Sequence, residues 1–455
     1  MTFRIELDST LRPRYVAVAD AIARAMARHE LLPGMRLPTH RALADELGLA
    51  LATVSKGYAE AERQGLIESF VGRGTFAAAA VDQSLPPSST GLVDLAVHQI
   101  PIPQHLDLQA LLQRLASWPH VEDLLAMQPS VGAQRHRQGG AAWLRSCGLD
   151  TSPEQIIICN GGQHAMLAIM ASIHDRGGAV VTEHLTDPSL KAVAALLGRR
   201  LTGVPMDAQG MDIDALDALC RKQPVALVVC TPNLHNPTNA TMPQARREAL
   251  AALARKHDFT ILESDIYGVM CKERLPPVAR FAPERTLFVA SLAKAIGPGL
   301  KVGYIHAPLE LVEQVAAGLR LSTWMAAPLG AEVAHQLISV PRQLERILQA
   351  QREEAARRVA VVSSTLAEFR VRIDPQSWHV WLQLPPDWRS DEFHHHTEAL
   401  GIRIAPLGAF AVGRNIPAHA ARLCIGAVGP AELQVACEQL ARLMSKPPYL
   451  SFPLV

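Results

Sequence analysis

The sequence predicts an α/β protein in two parts: a small helical head ending in a two-stranded wing, and a large domain on a mostly parallel sheet. Three observations lead there. Residues 1–76 carry three helix patterns, the first of them amphipathic, followed by two short β-prone runs. From about Leu92, short apolar runs alternate with longer helical stretches, the spacing of strand–helix–strand units. Between them lies "AAAAVDQSLPPSSTG", small, polar and rich in Pro and Ser, which reads as a linker over 77–91.

Bulk properties set the frame. A chain of 455 residues exceeds one ordinary core. Hydrophobic content of 49% with 19% charged residues fits a soluble globular protein. No apolar run approaches the ~20 residues that span a bilayer, so no membrane partner is expected. The opening "MTFRIELDST" has acids and no apolar centre, unlike a signal peptide. Seven cysteines without a CxxC pair point away from disulfides and zinc and toward a reducing cytoplasm. The net charge of +1 gives no hint of nucleic acid.

In the head, Tyr15, Val18, Ala19, Ile22, Ala25 and Met26 follow helical spacing. Pro33, Gly34 and Pro38 break that helix and force an extended passage. Thr39 is placed to N-cap a second helix, "HRALADELG", which Gly48 ends. A third helix, "ATVSKGYAEAERQG", ends at Gly65. Two β-prone runs, Leu66 to Val71 and Thr75 to Phe76, then flank Gly72-Arg73-Gly74. Helix, helix-turn-helix and hairpin make a winged helix-turn-helix, whose third helix enters the major groove.

The pieces "PGMRLPTHRALADELG", "TVSKGYAEAERQGLI" and "GRGTF" resemble, in order and spacing, the DNA-binding domain of GntR-family bacterial regulators. That resemblance implies double-stranded DNA as partner. It names Arg36, Arg41, Thr53, Ser55, Lys56, Arg73 and Thr75 as contacts. The family often has serine and arginine where Ala50 and Leu51 stand, so one donor is missing. The head holds 10 Lys+Arg against 9 Asp+Glu, so a single half-site makes few phosphate contacts and a dimer is expected.

In the large domain the expected strands are Ile156–Cys159, Ala179–Thr182, Val225–Cys230, Phe259–Glu263, Thr286–Ala290 and Val302–His306. Polar motifs fall after them, where ligands of such sheets bind. Gly161-Gly162 opens a helix whose N–H groups suit a phosphate. Asn236-Pro237-Thr238 follows the third strand. Asp265 and Tyr267 follow the fourth, expected on the same side of an extended segment. Ser291 and Lys294, before a Gly-Pro-Gly turn, suit an internal Schiff-base lysine holding pyridoxal 5′-phosphate (PLP). Aspartate keeps the pyridine nitrogen protonated, asparagine and tyrosine donate to the phenolic oxygen, and the lysine attacks the aldehyde and serves as base.

Together these motifs resemble the fold-type I aminotransferases over about Val93 to Met444, with a large sheet domain and a smaller C-terminal α+β subdomain from about residue 335. The resemblance implies PLP contacts from Gly161, Gly162, Gln163, Asn236, Asp265, Tyr267, Ser291, Lys294 and Lys301. It makes Lys294 the catalytic residue. It also implies that Arg422, in "ARLCIGA", pairs with a substrate carboxylate, a task suited to arginine's planar fork. Four departures stand out. Gly162 replaces a serine or threonine, and Lys301 an arginine that clamps the phosphate. Asp187 stands where many relatives carry a ring-stacking aromatic, and Met127 where a tyrosine is common. Core chemistry is kept while the grip on the cofactor is altered. His394-His395-His396 are expected on a solvated helix face, because helical neighbours point ~100° apart and cannot converge on one metal ion.

A winged helix followed by an aminotransferase-like domain resembles the MocR subfamily of GntR regulators over the whole chain. That implies a PLP-dependent transcription factor, a head-to-tail homodimer, sensing an amino compound or PLP itself through the Lys294 aldimine, with weak or no turnover. The alternative is a working aminotransferase with a vestigial head, and measured turnover separates the two.

Overall fold

The structure is a computed structural model that describes residues 13–27, 31, 35–63, 66–70, 74–77, 92–173, 178–413 and 419–448. They fall into two compact units, one within residues 1–85 and one within 86–455.

The head consists of α1 (Arg14–Ala27), α2 (His40–Leu47), α3 (Leu51–Arg63) and a hairpin of β1 (Ile67–Phe70) and β2 (Gly74–Ala77). Thr39 caps α2 by accepting from the Ala42 N–H at 3.2 Å. Gly48 ends it with φ at 60°, returning its N–H to the Ala44 carbonyl. The apolar stripes of the helices meet in one core of Val18, Ile22, Leu43, Val54 and Tyr58, closed by Leu37 and Ile67. Tyr58 keeps its hydroxyl satisfied by donating to the Pro38 carbonyl at 2.8 Å. At Gly57, α3 touches α1 so closely that an added Cβ would lie 2.6 Å from the Val18 Cβ. The hairpin pairs Ile67 with Ala77 and Phe70 with Gly74. Residues 35–37 flank it, with Leu37 N–H donating to Thr75 O at 2.8 Å and Ala77 N–H to Met35 O at 2.9 Å. Pro33, Gly34, Gly72 and Arg73 lie outside the described residues, as does 78–91 of the linker.

The large unit is organised by a seven-stranded sheet in the order Ile156–Cys159, Gly303–His306, Thr286–Ser291, Thr260–Ser264, Val225–Cys230, Ala179–Glu183, Leu201–Val204. Gly303–His306 is antiparallel to both neighbours, and the other pairings are parallel. Val225–Cys230 and Thr286–Ser291 are buried at every position, as central strands covered on both faces must be. Leu201–Val204 was not expected from the sequence. It is a half-buried edge strand containing Gly203, so its apolar signal is faint. Helices Gly162–Ser172 and Leu309–Thr323 cross at Gly318, where a Cβ would fall 2.2 Å from the Ala168 carbonyl oxygen.

A three-stranded antiparallel sheet follows in the order Val371–Arg372, His379–Gln383, Ala420–Cys424. Helices Pro341–Thr365, Ser390–Ala399 and Pro430–Met444 cover it, and Trp388, Phe393 and Leu440 fill its core. Val93–Asp94 pairs in parallel with Ile402–Arg403, which ties the first described residues of this unit to its last third. The histidine run departs from expectation. His395 is exposed and His394 half-buried, but His396 is buried edge-on against Trp388, their rings 5.1 Å apart, because the helix turns that position inward. Among the described residues no helix is long and apolar enough to cross a membrane.

Candidate functional site

Loops after five strands of the large sheet bring Gly161, Asp187, Asn236, Asp265 and Lys294 to one edge, the carboxyl ends. Two other pieces meet them there. One is the stretch 96–98 and the other is Arg422, on the strand Ala420–Cys424.

Lys294 donates from Nζ to the His98 carbonyl at 2.7 Å, and Nζ lies 5.9 Å from the centre of the Tyr267 ring. Its own carbonyl accepts from Trp378 Nε1 at 3.1 Å. Burial pushes the amine down to about 8; Asp187 pulls it up, and Arg422 and Lys301 push it down. A minority of the amine is therefore neutral near physiological pH, far more than for an ordinary lysine, and the neutral form is the one that attacks an aldehyde.

Beside it, one carboxylate oxygen gathers two donors. Asp187 Oδ2 accepts from Asn236 Nδ2 at 2.7 Å and from the Tyr267 hydroxyl at 3.0 Å. Asn236 Nδ2 is also 3.0 Å from the Tyr267 hydroxyl. Burial opposes the charge on Asp187, but bonds from Ser189, Asn236 and Tyr267 hold it below the usual carboxylate range. Tyr267 is pushed well up by burial and then by Asp187. Arg422 is buried against Phe410, donates to the Ala96 carbonyl, and reaches Asn236 Oδ1 at 3.4 Å.

Asp265 is buried with partners of its own. Its Oδ1 accepts from Asn233 Nδ2 at 2.7 Å, and Asn233 Oδ1 accepts from Arg247 Nη2 at 2.7 Å. Arg274 lies 3.6 Å from its other oxygen. Burial raises the Asp265 pKa, while Arg274, Asn233 and Arg247 oppose the shift. The expected extended 265–267 segment is instead bent. Tyr267 has φ −94° and ψ −23°, a helical and not an extended conformation. The cause is the tight turn at Gly268, where a Cβ would sit 1.9 Å from Asp265 Oδ1.

The expected phosphate group is only partly assembled. Gly161 N-caps helix Gly162–Ser172 with φ at 88°. Strand residue Gly303 backs onto it, its added Cβ falling 3.0 Å from Gly161 Cα. At Gly162, an added Cβ would meet Ile266 Cδ1 at 2.5 Å, so Ile266 fills the space a serine or threonine would need. Gln163 and Lys301 are exposed. The Ser291 hydroxyl donates to the Val302 carbonyl at 2.9 Å and accepts from the Ala293 N–H at 3.1 Å.

Sequence reasoning missed Asn233, Arg247, Arg274 and His98. A second asparagine in "TPNLHNPTN" was a usable signal, but nothing local marks Arg274. His98 stacks on Tyr267 at 4.9 Å and meets His379 edge-on at 5.0 Å. Both of its ring nitrogens are buried without a hydrogen-bond partner among the described residues. These groups fit PLP: a buried amine of lowered pKa, a donor pair, a buried carboxylate and a glycine-opened helix.

In the head, Arg36, Arg41 and Lys56 are exposed, and Thr53 and Ser55 half-buried. Ser55 Oγ lies 3.2 Å from His40 Nδ1. Thr75 is buried, its hydroxyl 3.2 Å from Ser69 Oγ, so it shapes the wing from within. Arg73 lies outside the described residues.

Residues 90–440 match the aminotransferase class I and II family, and residues 14–77 the gntR family of bacterial regulatory proteins. The HTH-type transcriptional regulator YdeF of Bacillus subtilis is 29% identical over 93% of this chain and 93% of its own length. The HTH-type pyridoxine biosynthesis transcriptional regulator PdxR of Corynebacterium glutamicum is 27% identical over 77% of this chain and 78% of its own. Among solved structures, the α-aminoadipate aminotransferase LysN of Thermus thermophilus, complexed with N-(5′-phosphopyridoxyl)-L-leucine, superposes with a TM-score of 0.71. It is 21% identical, over 79% of this chain and 94% of its own.

Proposed function

The chain belongs to the aminotransferase class I and II family, with a GntR-family head at its amino terminus, and from that premise we propose a PLP-dependent transcriptional regulator of the MocR kind. The head binds promoter DNA, and the large domain senses an amino compound or PLP itself through Lys294. The observation that carries this reading is one chain holding both modules, a pairing shared with relatives named as transcriptional regulators.

Bound PLP supplies an electrophilic carbon and an electron-accepting ring. Lys294 would provide the amine that holds that carbon, and Asp265 the carboxylate that keeps the ring nitrogen protonated. Asn236 and Tyr267 would donate to the phenolic oxygen. Gly161, Gly162, Gln163, Ser291 and Lys301 would hold the phosphate, Ser291 by giving up the Val302 carbonyl. Arg422 takes the carboxylate of an amino ligand by giving up the Ala96 carbonyl. A ligand that changes these contacts shifts the population of domain arrangements, and the linker passes the shift to the head.

The division is a head over 1–76, a linker over 77–91 and a PLP domain over 92–455 with its small subdomain from about 335. We place the protein in the cytoplasm as a head-to-tail homodimer. Exposed Leu125, Met127, Leu321 and Trp324 support a partner surface. Gln128 N–H meets Met325 Sδ at 3.0 Å, which joins the two stretches that carry them.

The intact Asn236, Asp265, Tyr267, Lys294 and Arg422 set favours a second reading, a working aminotransferase. Steady-state transamination over a panel of amino acids, with DNA binding measured on the same preparation, separates them. The regulator reading expects turnover below ~1 s⁻¹ with salt-sensitive DNA binding. Faster turnover without DNA binding would establish the enzyme.

A further inference from the structure

We propose that Asp187 is a specificity-determining residue that stands in for the phenolic oxygen of PLP, occupying the Asn236–Tyr267 donor pair and so keeping the cofactor exchangeable. The proposal rests on the PLP reading above and concerns how tightly the site holds its ligand.

The two oxygens of Asp187 have separate tasks. Oδ1 accepts from the Ser189 N–H at 2.9 Å and the Ser189 hydroxyl at 2.5 Å, which N-caps helix Pro188–Leu196 and fixes the side chain. That leaves Oδ2 aimed at Asn236 Nδ2 and the Tyr267 hydroxyl, at 2.7 and 3.0 Å. The same two donors are the ones assigned to the phenolic oxygen. A neutral aromatic side chain at this position would leave them free.

Binding PLP then has two routes, and both weaken it. If Asp187 yields the pair, a buried carboxylate loses two charge-assisted hydrogen bonds. If it stays, two anionic oxygens compete for the same donors at close range. Other groups in the site are also internally satisfied, Lys294 on the His98 carbonyl and Ser291 on the Val302 carbonyl. Asp187 also favours the protonated Lys294 amine, the form that cannot attack an aldehyde.

The test compares full-length wild type, Asp187→Ser and Asp187→Asn. Serine and asparagine both remain good N-caps. Serine is too short to reach the pair, and asparagine removes the charge. Equilibrium affinity is measured for PLP and for 3-deoxypyridoxal 5′-phosphate, which lacks the phenolic oxygen. In wild type the two affinities are expected within about threefold, because what the oxygen gains is offset by what Asp187 loses. In Asp187→Ser, PLP is expected to bind at least ~10-fold tighter than to wild type. The deoxy analogue should change little, so the ratio opens. Asp187→Asn should move the same way by a smaller factor. An unchanged ratio in both variants, or weaker PLP binding in both, overturns the proposal while leaving the PLP reading intact. Failure of all three proteins to bind PLP overturns the PLP reading and this proposal with it.

Discussion

The proposed role of Lys294 needs an amine that is enclosed and partly neutral, and burial supplies both conditions at once. With its pKa pushed down to about 8, about one tenth of the amine is neutral at pH 7 and about nine tenths at pH 9. The rate of covalent PLP attachment is therefore expected to rise about tenfold between those values and then level off. A lysine at its ordinary pKa would keep rising well beyond pH 9. Borohydride trapping followed by mass spectrometry gives the profile. Lys294→Ala should abolish the adduct while leaving the circular dichroism unchanged. A surviving adduct would assign the chemistry to another lysine.

At the level of elements, the close glycine contacts set limits on substitution. Gly57→Ala forces a methyl against Val18 Cβ and should destabilise the head by about 1–3 kcal/mol. The readout is loss of DNA binding at a lower temperature than loss of PLP absorbance. Gly162→Ser alone should not improve the grip on PLP, because Ile266 fills the space. Paired with Ile266→Val, which removes the crowding Cδ1 methyl at a cost of about 1 kcal/mol, it should tighten binding in a PLP titration. Much of this architecture was legible in the sequence. Val225–Cys230 and Thr286–Ser291 are continuous apolar runs because both of their faces are buried, and Thr39 and Gly48 mark the ends of α2 chemically. The positions of Asn236 and Tyr267 after sheet strands could be anticipated too, and the two side chains meet at 3.0 Å. The bend at Tyr267, the Arg274–Asp265 pair and the hold of Asp187 on the donors could not. The first two arise within one short irregular segment that has no period to read, and the third joins residues 80 positions apart.

For the whole molecule, a head with nearly balanced charge should bind DNA weakly as a single half-site and depend on a second copy and on salt. Lys56→Ala, at an exposed position of α3, is expected to weaken binding uniformly across sequences and to reduce the salt slope by about 1. Coupling between the two modules is read from DNA affinity at fixed salt, with and without saturating PLP, in wild type and Lys294→Ala. PLP is expected to shift wild-type affinity by at least ~5-fold and to leave the Lys294→Ala affinity unmoved. Identical wild-type affinity with and without PLP, in a protein shown to carry the Lys294 adduct, would contradict it.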